Sequence, residues 1–285
     1  MALFTMNFKF SRRIFLSKPK ALIQFTSHNF SMNILFLGSG TSTGIPSLCC
    51  DCSICQSDNI KNKRLRSSIL VRNEGNHLLI DTSTDLRQQC LTNNITHINQ
   101  VLYTHHHADH LHGIDELRSF NHFNKVVIPC YGNKDTIHEI KQKFNYIFNE
   151  STQVGGGLPR LTLHVVGNKN INLGGVSITP LDIIHGKMNI LGYKLNKCAY
   201  ITDCSEIPIE SKKQLCNLDI LILNALGFDP HPTHFSLSQA LDAIKELNPK
   251  RAILTHINHK FDHEKVSSEL PDGVEIAYDG MELEC

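Results

Sequence analysis

At 285 residues the chain is long enough to bury a substantial core, as one large domain or two small ones. Its 28 Lys and Arg against 27 Asp and Glu leave a formal net charge of +1, which excludes the broad positive field that drives non-specific binding to nucleic acid or anionic membranes. No uncharged apolar run approaches the roughly 18 residues needed to cross a bilayer, and a chain of this size does not need the disulfide framework of a short secreted domain.

The first fifty residues contain no Asp or Glu, while Lys9, Arg12, Arg13, Lys18 and Lys20 are basic. That composition reads either as an organellar (mitochondrial) presequence or as an over-extended start, because Met32 directly precedes the first clear strand. Residues 1–31 are therefore assigned to an N-terminal extension and 32–285 to a single domain. Without import, a cytoplasmic, reducing compartment is expected, in which the cysteines outside one cluster act as scattered small apolar residues.

After residue 32, β-rich runs end in polar or glycine-rich loops: Ile34–Leu37, Ser68–Arg72, Leu78–Ile80 and Val101–Thr104. Amphipathic helices are expected over Thr84–Leu91, Asp135–Phe148 and Leu237–Leu247, the last with Ser236 or Ser238 as its cap. Gly155-Gly156-Gly157 before Leu158-Pro159 reads as a tight surface loop, and a strand resumes at Leu161–Val166. Further strands follow at Ser177–Leu181, Ala199–Thr202, Ile220–Leu223 and Ala252–Thr255. Strands and helices interleave throughout, which predicts a layered α/β domain.

Two clusters carry chemistry. Cys50, Cys52 and Cys55 offer three thiolates within one turn-rich segment, suited to a structural zinc that still lacks a fourth ligand. A redox-active cysteine cluster is the competing reading. Further on, a β-run leads into His105-His106-His107-Ala108-Asp109-His110. Two histidines spaced by two, on an extended backbone, send both imidazoles to one side, where they can chelate an ion, and Asp109 and His110 then turn toward a second ion. Imidazole with carboxylate suits zinc, manganese or iron and leaves positions for water and substrate. His106 and His112 lack the spacing and are left as supporting or solvated residues.

This signature resembles that of the metallo-β-lactamase superfamily, and most nearly the phosphoribosyl cyclic phosphate phosphodiesterases of phosphonate breakdown. The resemblance runs from about Asn33 to Glu284 and includes Leu37-Gly38-Ser39-Gly40-Thr41, Leu79-Ile80-Asp81-Thr82, Leu254-Thr255-His256-Ile257-Asn258-His259 and Tyr278-Asp279-Gly280-Met281-Glu282. It implies an αβ/βα sandwich, two β-sheets flanked by helices, with two catalytic metal ions, zinc or manganese. His185 would join His105 and His107 at the first ion, His256 would join Asp109 and His110 at the second, and Asp203 would bridge them. Asp81 would buttress the metal loop. His259 would complete the structural zinc site, and His234 would protonate the leaving group.

The implied reaction is hydrolysis of a small or cyclic phosphodiester through a dimetal-bridged hydroxide, with phosphorus attacked in line. The alternatives are a ribonuclease Z-like nuclease, suggested by Gly38–Pro46, and a metal-binding module without catalysis. Near-neutral charge argues against RNA as partner. No membrane partner is expected, and a homodimer is compatible with the sequence.

Overall fold

The computed structural model describes residues 32–285 apart from 150, 154 and 156, so the extension assigned to residues 1–31 lies outside the described residues. The first half supplies β1 (Asn33–Gly38), β2 (Ser68–Asn73), β3 (Asn76–Ile80), β4 (Gln100–Leu102), β5 (Ile128–Gly132) and β6 (Leu161–Val165). The second half supplies β7 (Ile171–Leu173), β8 (Val176–His185), β9 (Met188–Leu195), β10 (Cys198–Ile201), β11 (Ile220–Asn224), β12 (Arg251–Thr255), β13 (Val274–Ile276) and β14 (Glu282–Glu284). They form two seven-stranded sheets, in the orders β14-β1-β2-β3-β4-β5-β6 and β13-β12-β11-β10-β9-β8-β7. In each sheet an antiparallel half passes into a parallel half, from β3 to β6 in one and from β10 to β13 in the other.

The period-2 alternation of the strands separates three layers of core. In β1, Ile34 and Phe36 face the opposite sheet, and Leu35 and Leu37 face outward. In β11, Ile220 and Ile222 face the first sheet while Leu221 and Leu223 face helices. Strands covered on both sides read as unbroken apolar runs, which is why Ile220–Leu223 shows no polar alternation.

Helices α1 (Leu86–Thr92), α3 (Leu117–Asn124) and α4 (Lys134–Lys143) cover the first sheet through Leu86, Phe120, Ile137 and Ile140. A single turn, α2 (Ala108–Leu111), precedes α3, and α5 (Asn145–Phe148) follows α4. On the second sheet, α6 (Ile209–Gln214), α7 (Leu237–Leu247) and α8 (His263–Glu269) pack with Ala240, Ile244 and Val266. The result is the αβ/βα sandwich, of α/β class. No helix among the described residues is long and apolar enough to cross a membrane.

Three local expectations fail. The helix expected over Asp135–Phe148 breaks at Phe144, whose backbone (φ −115°, ψ 38°) leaves the helical region. Its periodicity could not show this, because Ile137, Ile140, Phe144 and Ile147 share one face either way. The run Val101–Thr104 ends as strand at Leu102, since the Thr104 amide donates to the Asp81 carboxylate (2.8 Å) instead of a neighbouring strand. Cys198 and Cys285, read as separate apolar residues, are joined in a disulfide that ties β10 to the segment after β14.

Helix α7 begins with a reciprocal capping box: Ser236 Oγ accepts the Gln239 amide, and Gln239 Oε1 accepts the Ser236 amide. Ser236 is buried two residues after His234, so the cap also fixes where the His234 segment enters the helix. Ser236→Ala is expected to lower folding stability by about 1 kcal/mol, seen as a lower denaturant midpoint at unchanged slope.

Candidate metal centre

The site lies where the parallel strands of both sheets end, the edge at which α/β sheets expose polar residues without disturbing the core. Asp81 follows β3, Asp203 follows β10 and His256 follows β12, and all three have left-handed backbone, with φ of 66°, 55° and 57°. That conformation is uncommon for residues other than glycine, with asparagine, aspartate and histidine the usual exceptions, and it turns the chain sharply as it leaves each sheet. His185 is the last residue of β8. His105 and His107 lie in the loop between β4 and α2, after the strand that was expected to lead into them.

Three groups of donor atoms gather there, each with its members within 4.8 Å of one another: His105, His107 and His185; Asp109, His110, Asp203 and His256; and His185, Asp203 and His234. Asp203 is the hinge of the set. Its Oδ1 lies 3.1 Å from His234 Nε2, and its Oδ2 lies 3.1 Å from His110 Nε2 and 3.3 Å from His256 Nδ1.

Hydrogen bonds orient the imidazoles. Thr104 Oγ1 donates to Asp81 Oδ2 (2.8 Å), so it can only accept from His105 Nδ1 (3.0 Å). His110 Nδ1 donates to Asp81 Oδ2 at 2.7 Å, and His185 Nδ1 donates to the Thr233 carbonyl at 2.8 Å. In His105 and His185, and in the neutral form of His110, the Nε2 lone pair is thereby left available, the arrangement that outer-sphere partners give metal-binding histidines. His256 is held by Ser67 Oγ at Nδ1 (3.1 Å) and Thr41 Oγ1 at Nε2 (3.3 Å).

The charge balance calls for a cation. Asp81, Asp109 and Asp203 are all buried, and among the described residues no Lys or Arg forms an ion pair with any of them. Burial opposes ionisation of Asp203, but His256 and His110 outweigh it and hold the carboxyl well below its usual range. Burial likewise opposes a charge on His110, and the carboxylates of Asp203, Asp109 and Asp81 override it, pushing the imidazole up. Burial, reinforced by His110, keeps His105 neutral, and its Nε2 is buried without a hydrogen-bond partner. Neutral imidazole nitrogens facing uncompensated carboxylates fit divalent metal ions.

A second cluster lies on the early loop. Cys50, Cys52 and Cys55 place their sulfurs 3.1, 3.6 and 3.4 Å from His259 Nδ1. The Cys55 amide donates to Cys52 Sγ and draws that thiol down to about 6, whereas burial raises Cys55 to about 11. Cys49 is exposed and stands outside the cluster.

The same loop touches the end of β12 directly: Thr41 N donates to Ile257 O (3.0 Å), and Ile257 N donates to Ser39 O (3.1 Å). Gly38 permits this course, because a Cβ there would lie 2.0 Å from the Arg66 carbonyl. Sequence reading did not find Ser67, Thr104 or Thr233. Single hydroxyl residues and backbone carbonyls carry no motif, and only the fold brings them to the imidazoles.

Residues 76–257 match the family described as Beta-lactamase superfamily domain. A diphosphatase of the PhnP family, known from a crystal structure, is 38% identical with a TM-score of 0.83, covering 89% of this chain and 97% of that one. Zn²⁺-bound PqqB from Methylobacterium extorquens shares the fold at 21% identity and a TM-score of 0.71, over 89% of this chain and all of its own. An octanoyltransferase of Porphyromonas gingivalis is 34% identical over 254 residues, 88% of this chain, and the chain spans about half (51%) of that relative's length. With its two-sheet sandwich and donor-lined edge, the chain belongs to the metallo-β-lactamase superfamily, alongside the PhnP family diphosphatase.

Proposed function

We propose that this hydrolase is a binuclear metal-dependent phosphodiesterase acting on a small or cyclic phosphodiester. The observation that carries the reading is Asp203, whose two carboxylate oxygens face different histidines from different parts of the chain. His105, His107 and His185 would hold one ion, Asp109, His110 and His256 the other, and Asp203 would be shared. Zinc or manganese ions so held would supply Lewis acidity toward a phosphoryl oxygen and lower the pKa of a water molecule. Cys50, Cys52, Cys55 and His259 would hold a third, structural zinc.

The protein's own groups supply orientation and proton handling. Asp81 fixes His110 and, through Thr104, His105. His234 has Nδ1 2.8 Å from Thr233 Oγ1, and its Nε2 faces the site beside Asp203, where a proton held on Nε2 could pass to a leaving alkoxide. Its place in a donor group with His185 and Asp203 supports a second reading, in which His234 is itself a ligand. The diphosphatase relative supports chemistry at phosphorus, and a net charge of +1 favours a small substrate over RNA. The complete donor set favours catalysis over a purely binding role. Octanoyl transfer is the name of a relative that extends well beyond the matched region.

Four experiments test this reading. The purified protein should hydrolyse bis(p-nitrophenyl) phosphate, lose that activity to a chelator and regain it with zinc or manganese. Asp203→Asn should retain its fold but bind less metal and turn over at least about 100-fold more slowly, by analogy with losses on removing preorganised electrostatic groups. Near-normal turnover with full metal content would exclude the shared carboxylate.

Cys52→Ser should release one tightly held zinc and lower the melting temperature while the His105 group still takes up metal. Unchanged zinc content and melting temperature would rule out the structural site.

His234→Ala should slow a phosphodiester with an alkoxide leaving group by about 10²–10⁴-fold, with a smaller loss on nitrophenyl esters. Equal losses on both substrates together with lost metal would identify a ligand instead.

A further inference from the structure

Beside the metal centre opens a second cleft of about 510 Å³, lined by His106, His107, Ala108, His112, Lys143 and Phe144. His107 forms a wall of both spaces, so a molecule reacting at the donor cluster can extend into this cleft. Its far wall exists because the helix breaks: α4 ends at Lys143, and the turn at Phe144 leaves that ring lining the cleft. The Phe144 ring meets His112 edge to face at 5.6 Å and lies 6.4 Å from Tyr146. Lys143 Nζ donates to the His106 carbonyl at 3.0 Å and pairs only loosely with Glu139 at 3.4 Å, so its ammonium stays partly exposed.

An aromatic face, imidazole edges and one cation, in a space within the range of small-molecule sites, match a planar heteroaromatic ring joined to an anion. Building on the phosphodiesterase reading, we propose that this cleft takes the base of a nucleotide, stacked on Phe144, with Lys143 facing its adjoining phosphate. The substrate class is then a nucleotide-type phosphodiester, and Phe144 and Lys143 are specificity-determining residues.

The test compares two esters with the same leaving group, thymidine 5′-(p-nitrophenyl phosphate) and ethyl p-nitrophenyl phosphate, on the metal-loaded enzyme. Phe144→Leu retains apolar packing against the first-sheet helices and removes the aromatic face, and Phe144→Tyr restores that face. The thymidine ester should be preferred by about 5- to 150-fold in kcat/KM, the range that stacking one base on one aromatic side chain supplies. Phe144→Leu should erase most of that preference through KM, Phe144→Tyr should keep it, and Lys143→Met should weaken both esters. Calorimetric binding of thymidine 5′-monophosphate against ribose 5-phosphate gives a readout independent of turnover. Tighter nucleotide binding that depends on Phe144 supports the subsite even if neither ester is cleaved, in which case only the phosphodiesterase reading fails. Equal treatment of the two esters and the two ligands by wild type, or a preference that survives Phe144→Leu, overturns the subsite.

Discussion

A carboxylate removed from water must be compensated, and at Asp203 the compensation comes from several parts of the chain. His110 reaches it from the first half of the sequence, and His256 and His234 from the second. The two sheets meet in a largely apolar layer, so this edge is where polar groups of both converge. With Asp81 and Asp109 also buried nearby, the edge gathers three carboxylates that no Lys or Arg pairs with among the described residues. The carboxylates around His110 favour its protonated form, in which its Nε2 has no lone pair to offer a metal ion. A metal ion held there would compete with a proton for that nitrogen, which would couple its binding to the protonation of the site.

The early loop extends this edge. Gly40 bridges both Arg66 and Ile257, so the segment leading to the four-donor cysteine cluster is bonded to the strand end that carries His256. The buried Arg64 anchors the loop from behind, through Ser39 Oγ, the Ala277 carbonyl and His263. Asp279 accepts from Ser39 and from the Leu65 amide on the same face. Two chemically different donor clusters are thus held by one hydrogen-bonded framework, and loosening one alters the footing of the other.

Much of this was legible in the sequence because it is local. The H-x-H-x-D-H run and the Cys50, Cys52 and Cys55 spacing state their chemistry within a few residues, and the apolar runs give nine of the strands with errors at their ends, whereas β5, β7, β9, β13 and β14 were not read. His185, Asp203, His256 and His259 were reached through family resemblance, since each is a single polar residue after an apolar run, a pattern shared by many surface turns. The break at Phe144, the Cys198–Cys285 bond and the hydroxyls around the imidazoles were not legible. They depend on which segments become neighbours after folding, and neither periodicity nor spacing encodes that.

The left-handed backbone at Asp81, Asp203 and His256 shapes the mutational landscape of the site. Most side chains are strained in that region, whereas glycine and asparagine accept it readily. A bulky or β-branched replacement at these positions changes two things at once, the functional group and the conformational energy of the turn. Asparagine or glycine at these positions would keep the turn and remove the functional group alone, so the chemistry of the site can be separated from the conformation of its backbone.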